Sequence, residues 1–114
     1  MGETKDPADD GRPLWDEADA NALVGSRVLI GLTHCTASGQ VTHREQLHGL
    51  VLKSDPIQGF EIGLQGSHEG EVRWFPPHPG AFEVADPGVY RLKATGEEVV
   101  DPDYLATWTV TKPD

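Results

Sequence analysis

A chain of 114 residues with one cysteine, Cys35, has the length of a single domain and can form neither an internal disulfide nor a cysteine-rich zinc site. Nineteen acids against nine lysines and arginines give a formal net charge of -10, which makes nucleic acid an unfavourable partner and a basic protein a favourable one. No apolar run approaches the roughly 20 residues of a membrane span, and MGETKDPADDGRP lacks the basic-then-apolar order of a signal peptide, so a cytoplasmic protein with no membrane contact is expected.

Residues 1–13 hold two prolines, two glycines and few apolar side chains, the composition of a disordered acidic tail. Seven acids and two bases fall within residues 1–20. Residues 14–112 are then expected to form a single β-barrel-like domain. It opens on PLWDEADANALVG, where Pro13 and the acids Asp16, Glu17 and Asp19 suit the first turn of a short helix and Gly25 its end. Trp15, Leu23 and Val24 are its candidate anchors.

From Gly25 the period becomes two. SRVLIGLTHC reads as a strand with Val28, Ile30 and Leu32 on one face. A turn at Ser38-Gly39 leads into VTHREQLHGLVLKS. There Val41 and Leu47 precede Gly49, while Leu50 and Leu52 follow it with the other parity, which predicts a bend or bulge at Gly49. GFEIGLQG alternates with Phe60, Ile62 and Leu64 inward, and EVRWF places Val72 and Trp74 on one side. The four prolines of PPHPGAFEVADPG predict a loop with one 3₁₀ turn, pinned by Ala81, Phe82 and Val84. GVYRLKAT returns to strand. After the Thr95-Gly96 turn, Tyr104, Ala106, Trp108 and Val110 share the inward face of the last strand.

These elements predict a mainly all-β fold: a small, strongly bent antiparallel sheet or SH3-like barrel of about six strands, with one short N-terminal helix and a 3₁₀ turn in the proline loop. A five-stranded oligonucleotide-binding barrel is the second choice. Layout of this kind carries no function by itself.

Five histidines, His34, His43, His48, His68 and His78, raise the question of a metal. Within one strand His43 and His48 face opposite ways, as do His34 and Cys35, and the other two fall in loops, so surface histidines are the expected reading and no metal or cofactor is assigned. Cys35 reads as a small buried residue. No nucleophile elbow, phosphate-cradling loop or HExxH helix is present, and no catalytic residue is assigned. Asp101 and Asp103 of the DPD read as a turn before the last strand. Trp74 and Phe75 point opposite ways beside PPHP, so one of them is a candidate anchor for a partner.

The run GLT, a Ser-Gly turn, QLHG, PPHPGAF, PGVYRL, TGEEVVDPDY and TWTV resembles a family of small, functionally uncharacterised bacterial proteins, over about Leu23 to Val110. The resemblance implies a bacterial cytoplasmic protein and carries no site assignment. Its distinctive pieces are His48-Gly49, Tyr90-Arg91 and Asp101 to Tyr104. The residues favour a non-catalytic binding or accessory module, of immunity type, whose acidic surface meets a basic partner. The candidate contacts are Trp74, Phe75, His48, Arg91, Tyr104, Asp101 and Asp103. The alternative is a small-ligand binder or enzyme using the barrel mouth, with His48, Arg91 and Tyr104 as its polar set. Single-stranded nucleic acid stacking on Trp74 and Phe75 comes third.

Overall fold

The computed structural model describes residues 15–112. Helix α1 (Glu17–Leu23) is short, and its Asp16 cap accepts a hydrogen bond from the Asp19 N–H. Eight strands follow: β1 (Arg27–Thr36), β2 (Val41–Asp55), β3 (Gly59–Leu64), β4 (Val72–Phe75), β5 (Phe82–Val84), β6 (Val89–Arg91), β7 (Glu98–Val100) and β8 (Tyr104–Lys112). Single 3₁₀ turns occupy Gly66–His68 and, as the proline loop predicts, Pro79–Ala81. The fold is mainly β.

Six strands make one sheet in the order β4-β3-β2-β1-β8-β5, and β6 and β7 form a separate hairpin. Its opposite flanks curl until their side chains meet. Phe75 of β4 stacks on Trp108 of β8 with ring centroids 5.2 Å apart, and Phe60 of β3 meets the edge of Phe82 on β5 at 4.9 Å. Such aromatic pairs add about 0.5–1.5 kcal/mol each beyond the area they bury. The sheet is thus a half-barrel closed by an aromatic seam. Inside lie Val28, Ile30, Leu32, Leu47, Val51, Ile62, Leu64 and Ala106, with Ala20 and Leu23 of α1 packed into the same cluster. Tyr104 and Val110 pack on it from the positions alternation gives them, and Trp108 is 8% exposed.

Three features differ from the sequence reading. The sheet is not antiparallel throughout, because β8 runs parallel to β1, Gly31 beside Thr107 and Leu32 beside Trp108. The chain traverses the other strands and re-enters on the free side of β1 in the same direction, which local alternation does not report. The predicted change of phase at Gly49 is also absent. Leu47, Gly49 and Val51 all face inward, and the irregularity with β3 falls later, between Val51 and Lys53. Gly49 is a point of close approach instead, since a Cβ there would collide with the Gly63 carbonyl. Finally, the proline loop contains β5. It pairs only with β8, on the rim of the sheet, which is where a proline-flanked strand is tolerated.

The second face of the sheet is covered as well. Leu92 and Val99 of the hairpin region, with Tyr90, pack on Leu29 and Leu105 and form a small core of their own. This cover explains why Val28, Leu29 and Ile30 are all buried in succession. No helix among the described residues is long and apolar enough to cross a membrane. The expected 1–13 tail lies outside the described residues.

Candidate functional site

Parity along β4 separates the two aromatic candidates. Phe75 faces inward and is buried, while Trp74 faces outward and is 43% exposed. Register carries the outward row further: Trp74 stands opposite Glu61 and Val72 opposite Gly63. Because Gly63 has no side chain, Leu52 of β2 lies across it, with Cδ1 3.2 Å from the position a Cβ would take. Leu52, Val72 and Trp74 therefore form one row of half-exposed apolar side chains at the β4 flank. Among the described residues that strand ends the sheet, and one of its edges has no neighbouring strand. Glu61 lies within this row and Glu69 and Glu71 lead into β4; Lys53 stands opposite Glu61, His68 lies 3.3 Å from Glu71, and Arg73 of β4 reaches toward Glu45 instead.

The proposed polar set does not converge. His48 is on the outer face of β2, its Nε2 buried 3.7 Å from Glu97 Oε1, a distance that makes an ion pair only when the ring is protonated. Glu97 is itself held by the Ser67 N–H, which donates to Oε2 at 2.6 Å. Arg91 lies on the hairpin with its side chain 72% exposed and donates to Glu98 Oε2 at 2.8 Å. Tyr104 sits on the inner face against Phe82 and lines a cavity of about 240 Å³ with Asp19 and Leu23. Three faces hold the three residues.

Asp101 and Asp103 have a structural task. Asp101, at φ +47°, accepts from the Gly88 N–H through Oδ1 at 2.7 Å. Asp103 Oδ2 accepts from the Arg27 N–H at 2.8 Å, while Arg27 Nη2 donates to the Val100 carbonyl at 2.8 Å. The DPD turn thus fastens the hairpin to the starts of β1 and β8.

A polar cluster at the far end of the inner face was not legible from spacing. Register sets His34 opposite His43, and their rings stack 4.1 Å apart. His34 is buried, contrary to the expectation of surface histidines, because Leu32 and Val110 share its neighbourhood on an inner face. Its Nε2 lies 2.9 Å from Glu45 Oε1. A carboxylate oxygen only accepts, so Nε2 carries a proton, and Nδ1 has no hydrogen-bond partner among the described residues. That hydrogen bond is the main reason the Glu45 carboxyl is held below its ordinary value of 4.5, with Arg73 adding to the effect and burial opposing it. Among the described residues no three His, Cys, Asp or Glu side chains are arranged to hold a metal. Cys35 is buried and unpaired.

No protein family model, curated protein or solved structure matches this chain.

Proposed function

We propose that the protein is a binding or accessory module, non-catalytic and of immunity type, that seats a basic protein partner on the outer side of β4. The row Leu52, Val72 and Trp74 carries this reading. Three half-exposed large apolar side chains aligned at a sheet edge are a ready hot spot, since a partly buried tryptophan loses most water when a partner covers it. Glu61, Glu69 and Glu71 around the row, within a chain of net charge -10, supply the complement to lysine and arginine on the partner. An open strand edge beside the row offers backbone hydrogen bonds to an added strand.

The test is affinity capture from a lysate of the source organism with three baits: the wild type, Trp74→Ala, and a Glu61→Lys/Glu71→Lys double variant. One basic protein should be retained by the wild type, lost from both variants, and released as ionic strength rises. Retention of the same proteins by all three baits would refute the β4 site. Retention indifferent to salt would refute the electrostatic part.

A further inference from the structure

The apolar side chains of the hairpin pack on the outer face of the sheet at Leu29 and Leu105. One step along the strands, the row Gln46, Gly31 and Thr107 lies beside the hairpin and is not filled by it. Gln46 Oε1 accepts from the Lys93 N–H at 2.7 Å and so holds the Lys93–Ala94 segment over the sheet. Between them is a cleft of about 550 Å³, lined by Gly31, Thr33, Arg44, Gln46, Lys93 and Thr107. That volume falls within the range of small-molecule sites.

Gly31 is the informative residue. Its φ is not positive, and a Cβ built on it meets only Thr107 Cγ2, at 3.5 Å, an ordinary contact. Gly49 cannot carry a side chain for reasons of packing, but Gly31 can. A glycine in the middle of a central strand weakens it relative to a β-branched residue, and here the fold gains no turn or close approach in return. What the missing side chain leaves is space at the floor of the cleft. Around that floor the Thr107 methyl and Ala94 are apolar, and Arg44 and Lys93 both line the cleft, while Glu45, also in its lining, turns its carboxylate to His34 on the inner face.

We propose that this cleft binds a small organic anion, with an apolar or aromatic body resting on Gly31 and a carboxylate or phosphate head at the Arg44 and Lys93 rim. The Gln46 amide and the hydroxyls of Thr33 and Thr107 are placed to orient it. The site is separate from the β4 row and stands whether or not a protein binds there.

Amide chemical-shift titration at low ionic strength tests the cleft with benzoate, phenyl phosphate and neutral benzamide as probes. At least one anion should give saturable shifts clustered at Gly31, Gln46, Lys93 and Thr107, with benzamide about tenfold weaker. The identity of the stronger anion then distinguishes a carboxylate site from a phosphate site. An Arg44→Met/Lys93→Met double variant should lose about tenfold in affinity for that anion. Gly31→Val should lose binding while raising the urea midpoint, because it fills the floor with a strand-favouring side chain. The proposal is overturned if neither anion saturates at millimolar concentration, if the shifts cluster elsewhere, or if the charge variant binds as the wild type does.

Discussion

Trp108 and Trp74 are the same side chain on two strands of one sheet, and parity alone assigns them opposite fates. Trp108 lies in the seam with Phe75 and Phe82, where truncation leaves a cavity that neighbouring rings cannot close. Trp108→Ala is expected to lower stability by about 3–5 kcal/mol. Trp74→Ala should stay within about 0.5 kcal/mol, being a substitution at an exposed position. Urea unfolding of both variants checks the pair, and a large loss for Trp74→Ala would also undermine its use as a binding variant. Glu45 gives the pH dependence at the same scale. Its carboxyl, faced by His34, His43 and Arg73, is depressed in the folded chain, so the unfolded chain binds that proton more readily. Its contribution is full above the ordinary value of 4.5 and is lost as pH falls from there through the lower folded value. Asp55 acts with the same sign through the N–H groups of Gln58 and Ile57. Because the Glu45 side chain is 31% exposed, less than about 1 kcal/mol is at stake. Glu45→Gln should therefore flatten the fall in urea midpoint as pH drops from about 5 to about 3. An unchanged slope would show that the His34 hydrogen bond does not hold the carboxylate.

At the scale of elements, what the sequence discloses depends on how local the cause is. Tyr104 to Val110 alternate because one face of β8 is buried, and that period is visible in seven letters of sequence. The 3₁₀ turn at Pro79–Ala81 and the helix cap at Asp16 are equally local, set by proline and by a side chain reaching three residues along. Partner and direction are different matters. Nothing within β8 says that its neighbour is β1 or that the two run parallel, since both depend on the path of some seventy intervening residues. Leu50 and Leu52 mislead for a related reason. Leu50 is half-buried and Leu52 lies over Gly63, so both are apolar on a face that local alternation treats as polar. The run Val28, Leu29, Ile30 did hold the clue to that second covered face, because three apolar residues in succession fit a strand buried on both sides. Candidate sites follow the same rule. That one of Trp74 and Phe75 faces out is readable from adjacency, but which one requires β4 to be registered on β3. The His34 and His43 stack and the Gly31 cleft come from cross-strand register and the placement of the hairpin, which no spacing within one segment encodes.

For the molecule as a whole, two cores of unequal size share one sheet. The half-barrel interior joins α1 and the inward rows of all six sheet strands, the aromatic seam included. The hairpin rests on a patch centred on Leu29, Leu92 and Val99 and is fastened by the Asp101 and Asp103 turn, the Lys93 to Gln46 hydrogen bond and the Glu97 to Ser67 link. Regions with few buried apolar contacts open below the global unfolding free energy. The hairpin should therefore behave as a separate unit of lower stability laid on a firmer half-barrel. Native-state hydrogen exchange reads this directly. The amides of β6 and β7 should exchange through an opening that leaves the central amides of β1 protected. Leu92→Ala, which removes the most buried side chain under the hairpin, should accelerate β6 and β7 by about tenfold or more while changing β1 little. If β1 and the hairpin accelerate together, the two cores are one cooperative unit. If they separate, the cleft beside Gly31 is bounded on one side by a rigid sheet and on the other by a segment able to lift. An anion held between them would then slow exchange in the hairpin first, because stabilising the closed arrangement is what its binding free energy would do.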